Sequence, residues 1–196
     1  MKKKREQKYE IYNHRILWIT AHKNLALSRT SEDDALFYSL SAMLMMYFAF
    51  EGYLNWLGHL VAPEIWDKEK EFFNRPPYQG TLGKYLFLSK ILVLQAPEQS
   101  KGPFQTAKEL QQLRDKAVHP RTESGKRNVK FIEGKFPPNY RSWLSTKVSA
   151  KKRDRAEKDI EALVNELHQA AKVHYPNVIT VSEPFTGMLG FDITDH

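Results

Sequence analysis

Gln105-Thr106-Ala107-Lys108-Glu109-Leu110-Gln111-Gln112-Leu113-Arg114-Asp115-Lys116-Ala117-Val118-His119-Pro120-Arg121 is the stretch on which the reading of this chain turns. Ala107, Leu110, Leu113 and Ala117 recur at i, i+3, i+6 and i+10, which predicts a helix with one buried face. That helix runs into Pro120. The residue before a proline is pushed out of the α region, so His119 is expected where the helix ends. Arg114, Asp115 and His119 occupy the last turns. A guanidinium binds phosphate through a planar fork of donors that stays charged, and an imidazole is the side chain best placed to move protons near neutral pH. The run therefore carries the residue types of a phosphodiester-handling site, with Lys116 and Arg121 as candidate phosphate-binding cations.

The spacing sets a geometric condition. Five residues along an ideal helix turn through about 140°, so Arg114 and His119 do not share a face. The chain must bend at Pro120, the arginine must reach around, or a second copy of the helix must supply the partner. The competing reading is that His119 merely caps a helix C-terminus, where the dipole favours it, while Arg114 makes a surface ion pair.

Working outward, 196 residues, no cysteine, 41% hydrophobic residues and a net charge of +7 describe one globular domain long enough to bury a core. The lack of cysteine excludes disulfides, thiolate nucleophiles and cysteine-based zinc sites together. Met1-Lys2-Lys3-Lys4-Arg5 has the charge of a signal peptide's start, but a polar stretch from Glu6 to Glu10 follows instead of an apolar one. The most apolar stretch, Ala35 to Phe50, is short for a membrane span and is interrupted by Ser39 and Ser41. A cytoplasmic protein with no membrane contact is the expectation, and the positive balance directs attention to an anionic partner.

A first helix is expected from Lys4 to about Asn24, burying Tyr9, Tyr12, Ile16 and Ile19. Thr30-Ser31-Glu32-Asp33-Asp34 reads as a capping start for the next one, with acids in its first turn. That helix, Glu32 to about Val61, is apolar nearly all round. It is therefore either a bundle's centre or packed once by its own chain and once by a partner. Its second half contains Phe50-Glu51-Gly52-Tyr53-Leu54-Asn55-Trp56-Leu57-Gly58-His59, where Glu51, Asn55 and His59 form a polar row at i, i+4 and i+8. One carboxylate and one imidazole make a poor metal site. Glu51 and Asn55 are read instead as buried polar groups that fix helix contacts or orient an arginine.

A short helix follows from Pro63 to about Phe73, then a loop to Gly80, then a helix opening at Thr81. From Arg121 to Trp143 glycine, proline and charge dominate, and Asn128 to Phe136 has the pattern of a small hairpin around Glu133-Gly134. Phe131, Phe136, Tyr140 and Trp143 interleave there with lysines and arginines. This suits single-stranded nucleic acid, or equally a basic surface loop pinned by its aromatics. The last long helix, Val148 to Val173, buries Ile160, Leu163, Val164, Leu167 and Ala171, while Lys151 to Arg155 reads as a solvated face. Asn177 to His196 reads as a strand-like tail or surface arm. The expected fold is all-α: an antiparallel up-and-down helical bundle over 1–175 with a small β-like insertion at 121–143, and a C-terminal arm over 176–196.

With both stretches in view, Arg114-Asp115-x-x-x-His119 resembles the Arg-polar-x-x-x-His motif of HEPN domains, and Phe50-Glu51-Gly52-Tyr53-Leu54-Asn55 resembles the segment on their earlier core helix. The resemblance covers Ile11 to Val173, with helix order alone outside the two motifs. It implies a homodimer that sets two such helices side by side and, in many members, a metal-independent endoribonuclease without cofactor. It further implies His119 as general base on a ribose 2′-hydroxyl, Arg114 stabilising the phosphorane, Asp115 orienting His119 or touching RNA, and Glu51 holding Arg114. A subgroup with a tyrosine two residues after the histidine is modified by a partner enzyme. Arg121 stands there in this chain, which departs from that toxin–antitoxin pattern, though an antitoxin or other regulatory partner stays open. Some HEPN domains bind RNA or nucleotide, or act as assembly modules, without cutting.

Overall fold

The computed structural model describes residues 6–9, 12–31, 33–119, 143–186 and 191–194. The described residues are all-α apart from one ribbon that joins the two ends. Among the described residues the elements run β1 (Glu6–Tyr9), α1 (Asn13–Thr30), α2 (Ala35–Val61), α3 (Pro63–Trp66), α4 (Glu69–Phe72), α5 (Gly80–Ile91), α6 (Gly102–Val118), α7 (Trp143–Lys147), α8 (Ala150–His174) and β2 (Phe191–Thr194). β1 and β2 pair antiparallel, Glu6 opposite Thr194 and Tyr9 opposite Phe191. The expected hairpin at Asn128 to Phe136 lies outside the described residues, as does Arg121.

The helix expected from Lys4 begins only at Asn13, and its buried face is a different one. Ile16 and Ile19 are 46% and 48% exposed, while Trp18, Ala21 and Leu25 are buried. Two polar residues turn inward with them. Arg15 donates to the carbonyls of Glu183 (2.7 Å) and Pro184 (3.2 Å), and His14 Nε2 bonds the Pro184 carbonyl at 3.1 Å. Trp18 stacks on Phe185 with ring centroids 4.1 Å apart. The segment after α8, with Ile179 and Phe185 buried, therefore seats against α1 and completes the core; it is not an arm apart from the helices. The periodicity of α1 misled because its inward face is defined by partners from the far end of the chain.

α2 is the element on which the others pack, touching α1, α3, α5, α6 and α8. Met46, Tyr47, Ala49, Phe50, Tyr53, Leu54 and Leu57 all have no solvent exposure. Neighbours within the chain cover that side, while Leu36 and Phe37 in its first turn are 38% and 66% exposed. At 27 residues it is longer than the apolar stretch read from sequence, and long and apolar enough to cross a membrane by composition alone. The acids before it precede the helix and do not occupy its first turn; Ser31 Oγ accepts the Asp34 N–H at 3.3 Å.

Contact pairs fix the helix directions. His14, early in α1, lies against Tyr53 and Trp56, late in α2, so these two helices run oppositely. α8 brings Arg153 to Ser28 and Ser39, and His168 to Tyr53, so it runs along α2. α6 opposes α8: Thr106 donates to Asp159, and Arg155 donates to Glu109 at 3.0 Å. The expected α8 stripe is buried, but Arg153 at 6% exposure is no solvated face: Nη1 donates to Ser28 at 2.8 Å and Ser39 at 3.3 Å. A guanidinium can occupy such a site because hydroxyls replace its lost water.

Between α4 and α5 the chain passes hard against helix α5 at Gly83. A Cβ added there meets the Tyr78 carbonyl carbon at 1.9 Å and its oxygen at 2.0 Å. Backbone atoms cannot step aside as a flexible side chain can. Gly83→Ala is therefore expected to lower stability by about 1–3 kcal/mol, the usual cost of overpacking. Urea unfolding should show a lower midpoint at unchanged slope; an unchanged midpoint would mean that the 74–79 loop yields freely.

Candidate active site

α6 begins at Gly102 and Pro103, with proline where its missing N–H costs nothing. Ala107, Leu110 and Leu113 are at most 1% exposed, as the apolar spacing predicts, with Phe104 buried beside them, while Ala117 at the end of the stripe is only half-buried. Burying that face leaves Arg114 on its flank, at 28% exposure, and Asp115 further out at 49%. Arg114 Nη1 meets Asp115 Oδ1 at 2.9 Å. A part-exposed pair of this kind is worth about 0–1 kcal/mol, so an incoming phosphate can displace the carboxylate at little cost.

The guanidinium also lies over the Tyr47 ring, its carbon 5.5 Å from the centroid. Its Nε is buried without a hydrogen-bond partner, as is the Tyr47 hydroxyl. Burial pushes the Tyr47 hydroxyl up to about 12, so it keeps its proton at any working pH. Thr81 lies beside it but gives its own proton to Glu51 Oε1 at 2.8 Å.

The helix ends at Val118. His119 takes φ −117° and ψ 63°, outside the helical region, while its N–H still donates to the Asp115 carbonyl at 3.0 Å. This is the pre-proline break expected from sequence. The His119 side chain is exposed. No hydrogen bond or ion pair joins it to Arg114 among the described residues, in keeping with the angular separation along the helix.

Lys116 sits in the same last turn with its Nζ 3.9 Å from the Trp143 ring centroid, and Lys147 Nζ is 5.6 Å from the same ring. α7 thus returns to the end of α6, so that cations gather around the motif: Arg114, Lys116 and Lys147. Trp143 serves there to seat lysines.

Glu51 and Asn55 fix a helix contact, one of the two roles open to them. Glu51 accepts from Thr81, and Asn55 Oδ1 accepts from Lys84 Nζ at 2.8 Å. Lys84, 5% exposed, also pairs with Glu69. The row on α2 clamps α5, so the expectation that Glu51 holds Arg114 is corrected: its described bond goes to Thr81. What stands beneath Arg114 is Tyr47. Sequence reasoning missed it, although it lies one helical turn before Glu51 and continues the same row. Among the described residues no group of three His, Asp or Glu side chains is arranged to hold a metal ion.

Two other histidines are buried beside α2. His168 Nε2 donates to the Val181 carbonyl at 3.2 Å, which leaves Nδ1 to accept from Tyr53 Oη at 3.2 Å. Burial lowers both His168 and His14, the latter to about 4. Both are structural posts. His119 is the histidine open to a substrate at the cationic end of α6. Comparison with protein-family models, with curated proteins and with solved structures finds no match.

Proposed function

We propose that the chain is a metal-independent endoribonuclease of the HEPN type, working as a homodimer. One observation carries the reading: a single helix ends in an exposed histidine released from helical geometry, one turn beyond a guanidinium whose only ion-pair partner among the described residues is a weakly held neighbour. His119 takes the proton of a ribose 2′-hydroxyl as that oxygen attacks the adjacent phosphorus. The bond from phosphorus to the 5′-oxygen breaks, and His119 of the second copy supplies the leaving oxygen's proton. Arg114 leaves Asp115 and meets the charge on the phosphorane, while Lys116, Lys147 and Arg121 hold flanking phosphates.

The Arg114–Asp115 pair favours one second reading, in which the motif binds RNA or nucleotide and never cuts. Incubating the purified protein with total RNA, with and without EDTA, separates the two. Fragments ending in 2′,3′-cyclic phosphate, formed equally with chelator, are the expected result. Intact RNA retained on the protein at low salt would replace the enzyme with a binding module.

A further inference from the structure

Two buried donors without acceptors lie where α2 meets α6: the Tyr47 hydroxyl and Arg114 Nε. Buried polar groups are nearly always paired, because an unmade hydrogen bond forfeits water's in exchange for nothing. Tyr47 itself has no solvent exposure, and its ring carries the Arg114 guanidinium at 5.5 Å. Thr81 gives its hydroxyl proton to Glu51 Oε1 at 2.8 Å, so it stands beside the tyrosine hydroxyl as an acceptor only.

An arginine side chain on a helix surface ordinarily samples many rotamers, and fixing it costs entropy that weakens whatever it binds. Here the inner end of the guanidinium is enclosed and one face rests on an aromatic ring. The outer contact, to Asp115, is part exposed and easily exchanged. The arrangement holds the group's plane while leaving its phosphate-binding edge replaceable.

We propose that Tyr47 is a positioning residue for Arg114: its buried ring fixes the plane of the guanidinium at the place where, on the ribonuclease reading above, it meets the scissile phosphate. The ring does this, and the hydroxyl is secondary, since it makes no hydrogen bond to Arg114. The proposal rests on that reading for its catalytic consequence and on the ring contact alone for its structural one.

The test uses single-turnover RNA cleavage together with the NMR signal of the Arg114 Nε–H in the full chain. Losing a cation–π contact of this kind corresponds to roughly a 3- to 30-fold change. Tyr47→Leu should lower kcat by about that factor with KM nearly unchanged, and should cost nothing further in an Arg114→Ala background. Tyr47→Phe, which keeps the ring, should stay close to wild type. In wild type and Tyr47→Phe alike, the Arg114 Nε–H should be shifted upfield by the ring and exchange slowly. That measurement needs no activity and stands if Tyr47→Leu fails to fold. An equal loss in both backgrounds, or an Nε–H at its free-arginine position, would overturn the proposal. A wild type that leaves RNA intact while the Nε–H stays shifted overturns the ribonuclease reading and supports the ring contact.

Discussion

His119→Ala is expected to slow RNA cleavage by roughly 10²–10⁴-fold, the loss typical of removing a general base. Arg114→Ala should cost roughly 10²–10³-fold by leaving the phosphorane's charge without its donor. Neither substitution should disturb folding: His119 is exposed at a helix end, and Arg114 gives up only a weak ion pair and one ring contact. Asp115→Ala should be much milder, since the carboxylate's described partner is the arginine that, on the ribonuclease proposed, the RNA claims. DNA should survive every variant because it lacks the 2′-hydroxyl that attacks. Rates and product ends are read by gel and by phosphatase sensitivity, with circular dichroism confirming the fold. A His119→Ala protein cutting at the wild-type rate would place the chemistry elsewhere.

The second large effect is on stability and concerns acid. His14 is 3% exposed, ringed by Tyr12, Tyr53, Trp56 and Phe185, with its Nε2 on the Pro184 carbonyl. Burial, helped by the charge of Arg15, lowers it from 6.5 to about 4. The folded pKa lies below the unfolded one, so the unfolded chain binds the extra proton. Stability from this group is then complete above about pH 6.5, drains as pH falls towards about 4, and levels off below. Each pH unit of that window is worth about 1.4 kcal/mol, so the whole loss is roughly 3 kcal/mol. His168, lowered in the same direction by burial, adds to it. Urea midpoints should fall steadily between pH 6.5 and 4.5, and His14→Gln, which can still donate to Pro184, should flatten the slope. A midpoint independent of pH across that range would show that His14 is not held neutral.

Much of this molecule was written locally. The i, i+3 spacing in α6 and the Ile160 to Ala171 stripe in α8 specify their own buried faces, because a helix's period puts those residues side by side whatever else surrounds them. Pro120 likewise determines where α6 stops, through a clash between adjacent residues. The candidate pair, Arg114 and His119, was legible for the same reason: its signal is contained within a single helical turn and a half.

What escaped was whatever depends on a distant partner. The inward face of α1 is set by Glu183, Pro184 and Phe185, which accept bonds from His14 and Arg15 and stack on Trp18, so its apolar Ile16 and Ile19 are left outside. Arg153 reads as one of five charged surface residues until Ser28 and Ser39 arrive from two other helices. Glu51 was separable from Arg114 only once Thr81 of α5 stood opposite it, and Tyr47 became Arg114's neighbour only once α6 had packed on α2. Sequence by itself determined where most of the helices lie and which side chains stand at the end of one of them. Tertiary structure decided which polar groups are inside and whom they serve, because a buried donor is tolerable only against a particular acceptor, and that acceptor lies elsewhere in the chain.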